Sequence, residues 1–377
     1  MQLFYMNKIR TVTLIFAILI ISIYFIYILN VNTYDLDKLS NKQWYIYENY
    51  KGILESSENL EKDSFFAETS IYINSSCNLG VIDLWKRNCS KRKTIIALID
   101  TAVDIYHEDL YNNIWINEDE IPFDNVNNDC NGYVDDYYGW NYVDDCGYVN
   151  LNCNIYEHGT HCAGIIVAEH NGIGVMGIAG SSDVKLMVLP ALKNTKGKED
   201  IENVIKAIKY AENSGADICN LSFSFTEYSS ELEEVIRNSK MLFVVAAGNG
   251  NFALNGGIDL DRIKMYPASF NYGNVITVAN LTDKMEIAYN SNYGKNTVDI
   301  GAPGEYIYST LPDDNYGFMS GTSQAAPVVS GCLGMIYSYY KGDTLEESLN
   351  RIYSKSMKNR LLNSKIQAGR VIDLNNI

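Results

Sequence analysis

The sequence predicts an α/β fold, a mostly parallel sheet flanked by helices on both faces. Two observations carry this. Six apolar runs, 94–99, 184–189, 216–221, 241–246, 275–279 and 297–300, have the length of buried strands. Between the second and the third, Ile201, Val204, Ile205, Ile208 and Ala211 keep the spacing of one helix face. Strands that alternate with helices need crossover connections, and crossovers give parallel pairing with helices packed on the sheet. About 300 residues can bury one large core, and no repeat or low-complexity tract breaks the pattern.

Along the chain, Thr11 to Leu29 is an uncharged, mostly apolar run long enough to cross a bilayer as a helix. Lys8 and Arg10 precede it, and Asp35 and Asp37 follow it. Basic residues on the N-terminal side predict that this side stays cytoplasmic. The remainder is then lumenal or extracellular. The run reads as a transmembrane signal anchor (type II, single-pass) or as the signal peptide of a secreted protein; no A-x-A-like cleavage site follows it. Residues 31–78 are polar and read as a prosegment or stalk, and 79–377 as the folded domain.

Three short runs then follow in order: IALIDTAVD at 96–104, HGTHCAG at 158–164 and SGTSQAAP at 320–327. Asp100 ends the first apolar strand, and a carboxylate at the C-terminal edge of a parallel strand faces a crevice. His158 opens a helix-like stretch and supplies an imidazole that titrates near neutrality. Gly321 and Thr322 allow a sharp turn into the apolar helix that follows, so Ser323 sits at a positive helix terminus. Pro327 falls close to that helix start, where a missing N–H costs least. VVAAGN at 244–249 is a strand that ends in Asn249.

Together these runs resemble the subtilisin family of serine endopeptidases, over residues from about 79 to 377. The resemblance implies a three-layer subtilisin-like sandwich and an Asp–His–Ser triad of Asp100, His158 and Ser323. His158 is the base, Asp100 orients it, and Asn249 with the Ser323 N–H binds the oxyanion. His161 is implied to pack beneath the site. Two positions depart from the family pattern: Ala102 replaces the usual Gly, and Gln324 replaces the frequent Met. The resemblance also implies protein or peptide substrates, a monomer, and a zymogen with an inhibitory propeptide. Ser222, Phe223 and Ser224 are implied to form one wall of the S1 pocket. Ala246 and Gly248 form the other, with Met265 at its floor. Ser224 and Met265 narrow that pocket, which predicts small or medium P1 side chains. No acidic residue is assigned to it, so dibasic processing is not expected. A subtilase that is catalytically silent and serves as a binding module is the rival reading.

The net charge of −16, from 46 acidic and 30 basic residues, is unevenly spread. Between Thr94 and Val184 there are 16 Asp or Glu and no Lys or Arg. Such a balance excludes nucleic acid as a partner and calls for a cation among the carboxylates. Asn125, Asn127, Asp129, Asn131 and Asp136 alternate oxygen ligands around Gly132, which predicts Ca²⁺ there. By resemblance, a second Ca²⁺ lies in the loop 169–177. Asn171 gives its side chain, Glu169, Ile173 and Val175 their carbonyls, and Asp109 its carboxylate. This acidic insertion resembles those in subtilases of apicomplexan parasites.

Eight cysteines suit the secretory pathway. Cys77, Cys89, Cys130, Cys146 and Cys153 lie in loops, where some are expected in disulfides. Cys162, Cys219 and Cys332 lie in apolar runs and are expected to be buried thiols. Sequons at Asn74, Asn88 and Asn280 are candidate glycosylation sites; Asn220 fits the pattern but lies in a buried run.

Overall fold

The computed structural model describes residues 42–46, 51–54, 71–74, 79–87, 91–150, 157–193, 198–250 and 256–377. The apolar run 11–29, most of 31–78, and Cys77, Asn88, Cys89 and Cys153 lie outside the described residues. Among the described residues no helix is long and apolar enough to cross a membrane.

The chain opens with an antiparallel pair, β1 (Lys51–Leu54) and β2 (Ile71–Asn74), followed by the short helix α1 (Val81–Trp85). Strand and helix then alternate: β3 (Thr94–Asp100), α2 (Glu157–Val167), β4 (Val184–Pro190), α3 (Lys198–Asn213), β5 (Ile218–Leu221), α4 (Ser230–Asn238) and β6 (Leu242–Ala246). Next come β7 (Val275–Leu281), β8 (Ile300–Pro303), and a hairpin of β9 (Ile307–Leu311) and β10 (Asn315–Met319). The chain closes with α5 (Thr322–Tyr339), α6 (Leu345–Lys355), β11 (Met357–Lys358) and β12 (Arg370–Val371).

Eight strands form one sheet in the order β11-β12-β8-β7-β6-β5-β3-β4. Every pairing in it is parallel except β11 with β12. The chain steps from β3 outward to β4, then back past β3 to β5 and onward to β6. Right-handed crossovers therefore put α2 on one face and α3 and α4 on the other. The order reverses around β3, so the C-terminal end of β3 lies at the switch point where an α/β sheet opens a crevice.

The central strands are buried along nearly their whole length, as expected of a sheet covered on both sides. Helix α5 is buried all round and packs against β5, β6 and β7. Helix α2 packs on α5 and on β9. A Cβ on Gly164 of α2 would stand 2.2 Å from Thr310 Oγ1, so that contact needs glycine.

The expected strand at 297–300 is displaced to Ile300–Pro303. Asp299 explains the shift: its carboxylate accepts the Thr277 N–H at 2.8 Å, while its own N–H goes to the Thr277 carbonyl at 2.9 Å. A side chain thus takes one rung of the ladder. Further elements were not expected, among them the β1–β2 pair, α1, the β9–β10 hairpin, α4, α6 and the short strands β11 and β12. Ser229 caps α4 by accepting the Leu232 N–H. Thr344 and Glu347 form a reciprocal capping box on α6.

The sequon at Asn280 is overturned: Asn280 lies within β7 and is fully buried, beyond reach of a glycosylating enzyme. Asn220 is buried in β5. Cys162, Cys219 and Cys332 are buried; among the described residues Cys130 and Cys146 form no disulfide.

Residues 42–46 fall inside the stretch read as prosegment or stalk, yet Gln43, Trp44, Tyr45 and Ile46 are completely buried and the last three belong to the same apolar core. Trp44 Nε1–H is shared between the carbonyls of Glu305 (3.1 Å) and Tyr306 (3.2 Å). The Gln43 amide donates to the Met176 carbonyl at 2.9 Å and accepts the Met176 N–H at 2.8 Å. Trp44→Ala should therefore cost about 3–5 kcal/mol, the size of a large buried aromatic deletion. Urea unfolding would show it as a lower midpoint with unchanged slope.

Candidate active site

Asp100 ends β3 and is fully buried. Its Oδ1 accepts the Thr101 N–H at 2.7 Å and stands 2.7 Å from His158 Nδ1. His158 is the second residue of α2. The start of that helix is pinned to the end of β3, because the Gly159 N–H donates to Thr101 Oγ1 at 3.0 Å. The His158 side chain keeps 35% of its surface exposed, so one edge of the ring meets solvent while the other meets Asp100. Burial acts to lower its pKa, but the charge of Asp100 and the hydrogen bond to it outweigh burial and raise it above the ordinary imidazole value.

Ser323 is the second residue of α5, in the turn whose N–H groups have no intrahelical acceptors. Its Oγ donates to the Ser222 carbonyl at 2.8 Å, rather than to His158. Pro327 is the sixth residue of α5, deeper than the helix start where the sequence reading put it. There it lacks the N–H that would bind the Ser323 carbonyl. Two side chains replace that donor, Ser222 Oγ at 2.9 Å and Cys162 Sγ at 3.4 Å. Ser222 Oγ is held in turn by Asn220 Nδ2 at 2.9 Å, and Asn220 Oδ1 by Ser330 Oγ at 2.8 Å.

Asn249 follows the C-terminal end of β6. Its Oδ1 accepts the Thr322 N–H at 3.1 Å and Thr322 Oγ1 at 3.3 Å, which commits the oxygen and turns the amide NH₂ the other way. Gly248, beside it, has φ 86°, a left-handed conformation that suits glycine. Asp100, His158, Asn249 and Ser323 line one cavity of about 840 Å³, together with Ser222, Phe223, Ser224, Ala246, Gly248 and Met265. All the residues expected at the triad, the oxyanion site and S1 therefore share one crevice. An acidic residue, Glu227, also lines this cavity, at the end of the segment that begins with Ser222. It lies three residues beyond the wall named from the sequence, in a bend that the motif does not include.

The neighbours of the site are passive. His161 is buried, and its Nε2 faces the carbonyls of Ile307 (3.0 Å) and Gly317 (3.2 Å), which makes it a donor. Burial lowers its pKa to about 3, so it stays neutral and ties α2 to the β9–β10 hairpin. Burial and the nearby Asp100 charge raise the Cys162 thiol well above its ordinary value, so no thiolate competes as nucleophile. Ala102 is not among the residues with positive φ, so the missing glycine costs no strain there. Gln324 is buried and directs its amide to Met319 Sδ at 3.8 Å.

In the acidic insertion, carboxylate oxygens of Glu120, Asp129 and Asp136 lie within 4.8 Å of one another. Asn131 Nδ2 bridges Asp129 (2.9 Å) and Asp136 (2.8 Å), and Asn117 Nδ2 does the same at 3.0 and 3.2 Å. Tyr210 OH donates to Asp136 Oδ2 at 2.5 Å. Glu120 is buried, and its Oε2 has no hydrogen-bond partner. Asp129, Asn131 and Asp136 are thus brought together as expected, while Asn127 supports the loop by accepting the Asn131 N–H at 3.2 Å. Asn125 is exposed and engages Asp135 through its backbone N–H. Glu120 and Asn117 were missed, since they precede the alternating run.

In the second loop, Asp109 is buried, and its Oδ2 accepts the Val175 N–H at 2.9 Å. Asn171 Oδ1 accepts the Ile173 N–H at 2.9 Å. The Glu169 carboxylate accepts the Asn112 N–H at 2.8 Å and its side-chain amide at 3.0 Å. The sequence reading missed Gln43, whose amide grips the adjoining Met176; no local pattern marks a contact across 133 positions.

The model of the subtilase family matches residues 91–374. Subtilisin-like protease 1 of Plasmodium berghei (strain Anka) is 34% identical over 350 residues, 88% of this chain and 57% of that protein. The major intracellular serine protease of Bacillus subtilis (strain 168) is 33% identical over 278 residues, covering 73% of this chain and 76% of its own. A solved structure of a cold-adapted subtilisin-like serine proteinase superposes with TM-score 0.57 at 22% identity, over 76% of this chain and 91% of that one. The chain spans about half the length of the Plasmodium relatives it matches. With most of its length matched by the family model and by full-domain relatives, the chain belongs to the subtilase family of serine-type peptidases.

Proposed function

We propose that this protein is a serine endopeptidase that uses Asp100, His158 and Ser323 as a triad, with Asn249 as oxyanion donor. The observation that carries it is the Asp100–His158 hydrogen bond of 2.7 Å in the cavity that Ser323 and Asn249 also line. The buried Asp100 anion fixes the imidazole with Nδ1 protonated and Nε2 free to take a proton. Rotation about χ1 releases Ser323 Oγ from the Ser222 carbonyl and turns it toward that nitrogen. As Oγ attacks a peptide carbonyl, His158 takes its proton and then passes it to the leaving amine. The negative oxygen that develops meets the Asn249 NH₂ and the N–H groups at the start of α5. The hydrogen bond that turns Ser323 away supports a second reading, a silent binding module of the same fold.

The same reading places the enzyme in the secretory pathway, by way of the run 11–29, with an inhibitory propeptide and protein substrates. It also includes bound Ca²⁺. Glu120, Asp129 and Asp136 form an oxygen-only set with one buried oxygen unpaired, which suits a hard cation. Asn117 and Asn131 could turn their amide oxygens to it. Asp109, Asn171 and the carbonyls of Glu169, Ile173 and Val175 would hold a second ion. Ca²⁺ would neutralise these carboxylates and stabilise the native state without entering the reaction.

A fluorophosphonate should label the protein, and Ser323→Ala should abolish labelling and reduce cleavage of an unfolded substrate by about 10⁶-fold. A folded natural protein that is neither labelled nor active points to the silent module. The pH dependence has a definite sign. Catalysis needs neutral His158, so kcat/KM should fall as pH drops through its raised pKa. The imidazolium–Asp100 pair contributes stability below the unfolded imidazole value of about 6.5. That contribution is lost as pH rises through the raised value, so activity and this part of stability move in opposite directions. Asp100→Asn should move the acidic limb to lower pH and cost about 10⁴-fold in rate. Finally, Ca²⁺ at a hundredfold excess over its Kd should add about 2.7 kcal/mol of stability. A double Glu120→Gln, Asp136→Asn variant should lose most of the gain in thermal unfolding with and without a chelator.

A further inference from the structure

We infer that Asn292 is a positioning residue for oxyanion binding: by holding the carbonyls of Ala247 and Gly248 it aims the amide of Asn249 at the oxygen that becomes negative. The inference rests on the proteolytic reading above, in which Asn249 is the oxyanion donor, and adds to it the group that fixes that donor.

Asn249 is exposed, so core packing does not hold its side chain, and Thr322 grips only the amide oxygen. The backbone that carries it must supply the rest. The Ala247 N–H makes the last bond of β6 toward β7, to the Val278 carbonyl at 2.9 Å. Beyond it the chain leaves the sheet and turns at Gly248, with φ 86°. Two successive carbonyls, those of Ala247 and Gly248, then need donors from elsewhere. Asn292 supplies both. Its Nδ2 donates to the Ala247 carbonyl at 3.0 Å, and its backbone N–H donates to the Gly248 carbonyl at 2.9 Å. A Cβ on Gly248 would stand 2.9 Å from that Nδ2, so the amide lies directly against the turn.

Asn292 is itself fixed. It is fully buried and does not line the catalytic cavity, so it acts through its neighbours rather than on substrate. Its Oδ1 accepts the Ile258 N–H at 2.9 Å, which commits the oxygen and leaves the NH₂ for Ala247. Ser291 ties the segment to β7: its Oγ accepts the Asn280 N–H at 2.9 Å and donates to the Asn292 carbonyl at 3.0 Å. The Gly250 N–H donates to the Asn290 carbonyl at 2.7 Å, and Asn249 and Ser291 face each other in an antiparallel bridge. Residues 290–292 therefore grip the chain on both sides of Asn249. The Gly248 N–H goes the other way, to Thr322 Oγ1 at 3.1 Å. Asn249 thus stands between two anchors, the start of α5 and Asn292. Without the Asn292 amide, the carbonyl of the buried Ala247 loses its donor and the turn is released. A donor stabilises the oxyanion only within hydrogen-bond distance of where charge develops, so a displaced turn weakens the transition state more than the substrate complex.

Asn292→Ala, Asn249→Ala and the double variant would be made in the full-length protein. Their kcat and KM for a peptide substrate would be measured per active site, counted by fluorophosphonate labelling carried to completion. Asn292→Ala should lower kcat about 10- to 100-fold, against roughly 10²–10³-fold for deleting an oxyanion donor outright. KM should change less than about twofold, as for an interaction made in the transition state. In the Asn249→Ala background the same substitution should cost less than about twofold, because the group it positions is gone. A purely structural role would lower the number of labelled sites in both backgrounds and leave kcat per site unchanged. Should Asn292→Ala not fold, Asn292→Ser, which is shorter but polar, takes its place with the same non-additivity expected. Equal losses in both backgrounds, an unchanged kcat per site, or failure of both variants to fold overturns the inference and leaves proteolysis standing. An Asn249→Ala variant as fast as the natural protein overturns it too, by removing the donor from the mechanism. A natural protein that neither cleaves nor takes the fluorophosphonate overturns the proteolytic reading, and the inference with it.

Discussion

The constraint on which the rest of the site depends is a carboxylate with no access to water. Asp100 is fully buried, and one of its oxygens takes two short hydrogen bonds while the other has none. An isolated charge in such a place is costly, and its partners must be held in position to offset the cost. This dictates the geometry outward from β3. The parallel sheet puts the end of β3 at the point where strand order reverses. Thr101 donates its N–H to Asp100 and accepts the Gly159 N–H on its hydroxyl oxygen, which sets where α2 begins. His158 then arrives beside Asp100 because it is the second residue of that helix.

A second constraint fixes Ser323, the proposed nucleophile. Helix α5 is interrupted at its hydrogen-bond ladder by Pro327, one turn after Ser323. The free carbonyl is taken over by Ser222 and Cys162, one from the segment after β5 and one from α2. A chain of buried donors and acceptors, Ser330–Asn220–Ser222, supports that exchange. The proline thus opens a hydrogen-bonding position through which three separate elements register on Ser323. Cys162 gives its hydrogen bond to this helix carbonyl, and burial and the charge of Asp100 keep its thiol protonated.

The chemistry was legible in the sequence because each group lies next to the turn that positions it. Asp100, His158, Asn249 and Ser323 stand within three residues of a strand end or helix start, and short motifs record such places. The strands were legible for the same local reason, as mostly apolar runs. Edges were not, because a side chain can replace a rung, as Asp299 does at β8. The capping box of Thr344 and Glu347 is a signal written in the sequence that the strand-and-helix pattern passed over. Glu227, Glu120, Asn117 and Gln43 were illegible for a different reason. Glu120, Asn117 and Gln43 act on residues 8, 19 and 133 positions away, and an exposed Glu in a bend has the same local sequence whether it lines a cleft or faces bulk solvent.

The acidic insertion and the cleft are mechanically joined. Asp136, at the centre of the carboxylate group, accepts the hydroxyl of Tyr210, which lies near the C-terminal end of α3. Ile201, near the other end of the same helix, lines the catalytic cavity. One helix therefore touches the carboxylate group at one end and lines the cleft at the other. Between those points α3 buries Val204, Ile205, Ala207 and Ile208 in the core. The uneven charge of the chain is in this sense part of the site: the quarter that carries the whole acidic excess holds one end of the helix that shapes the crevice.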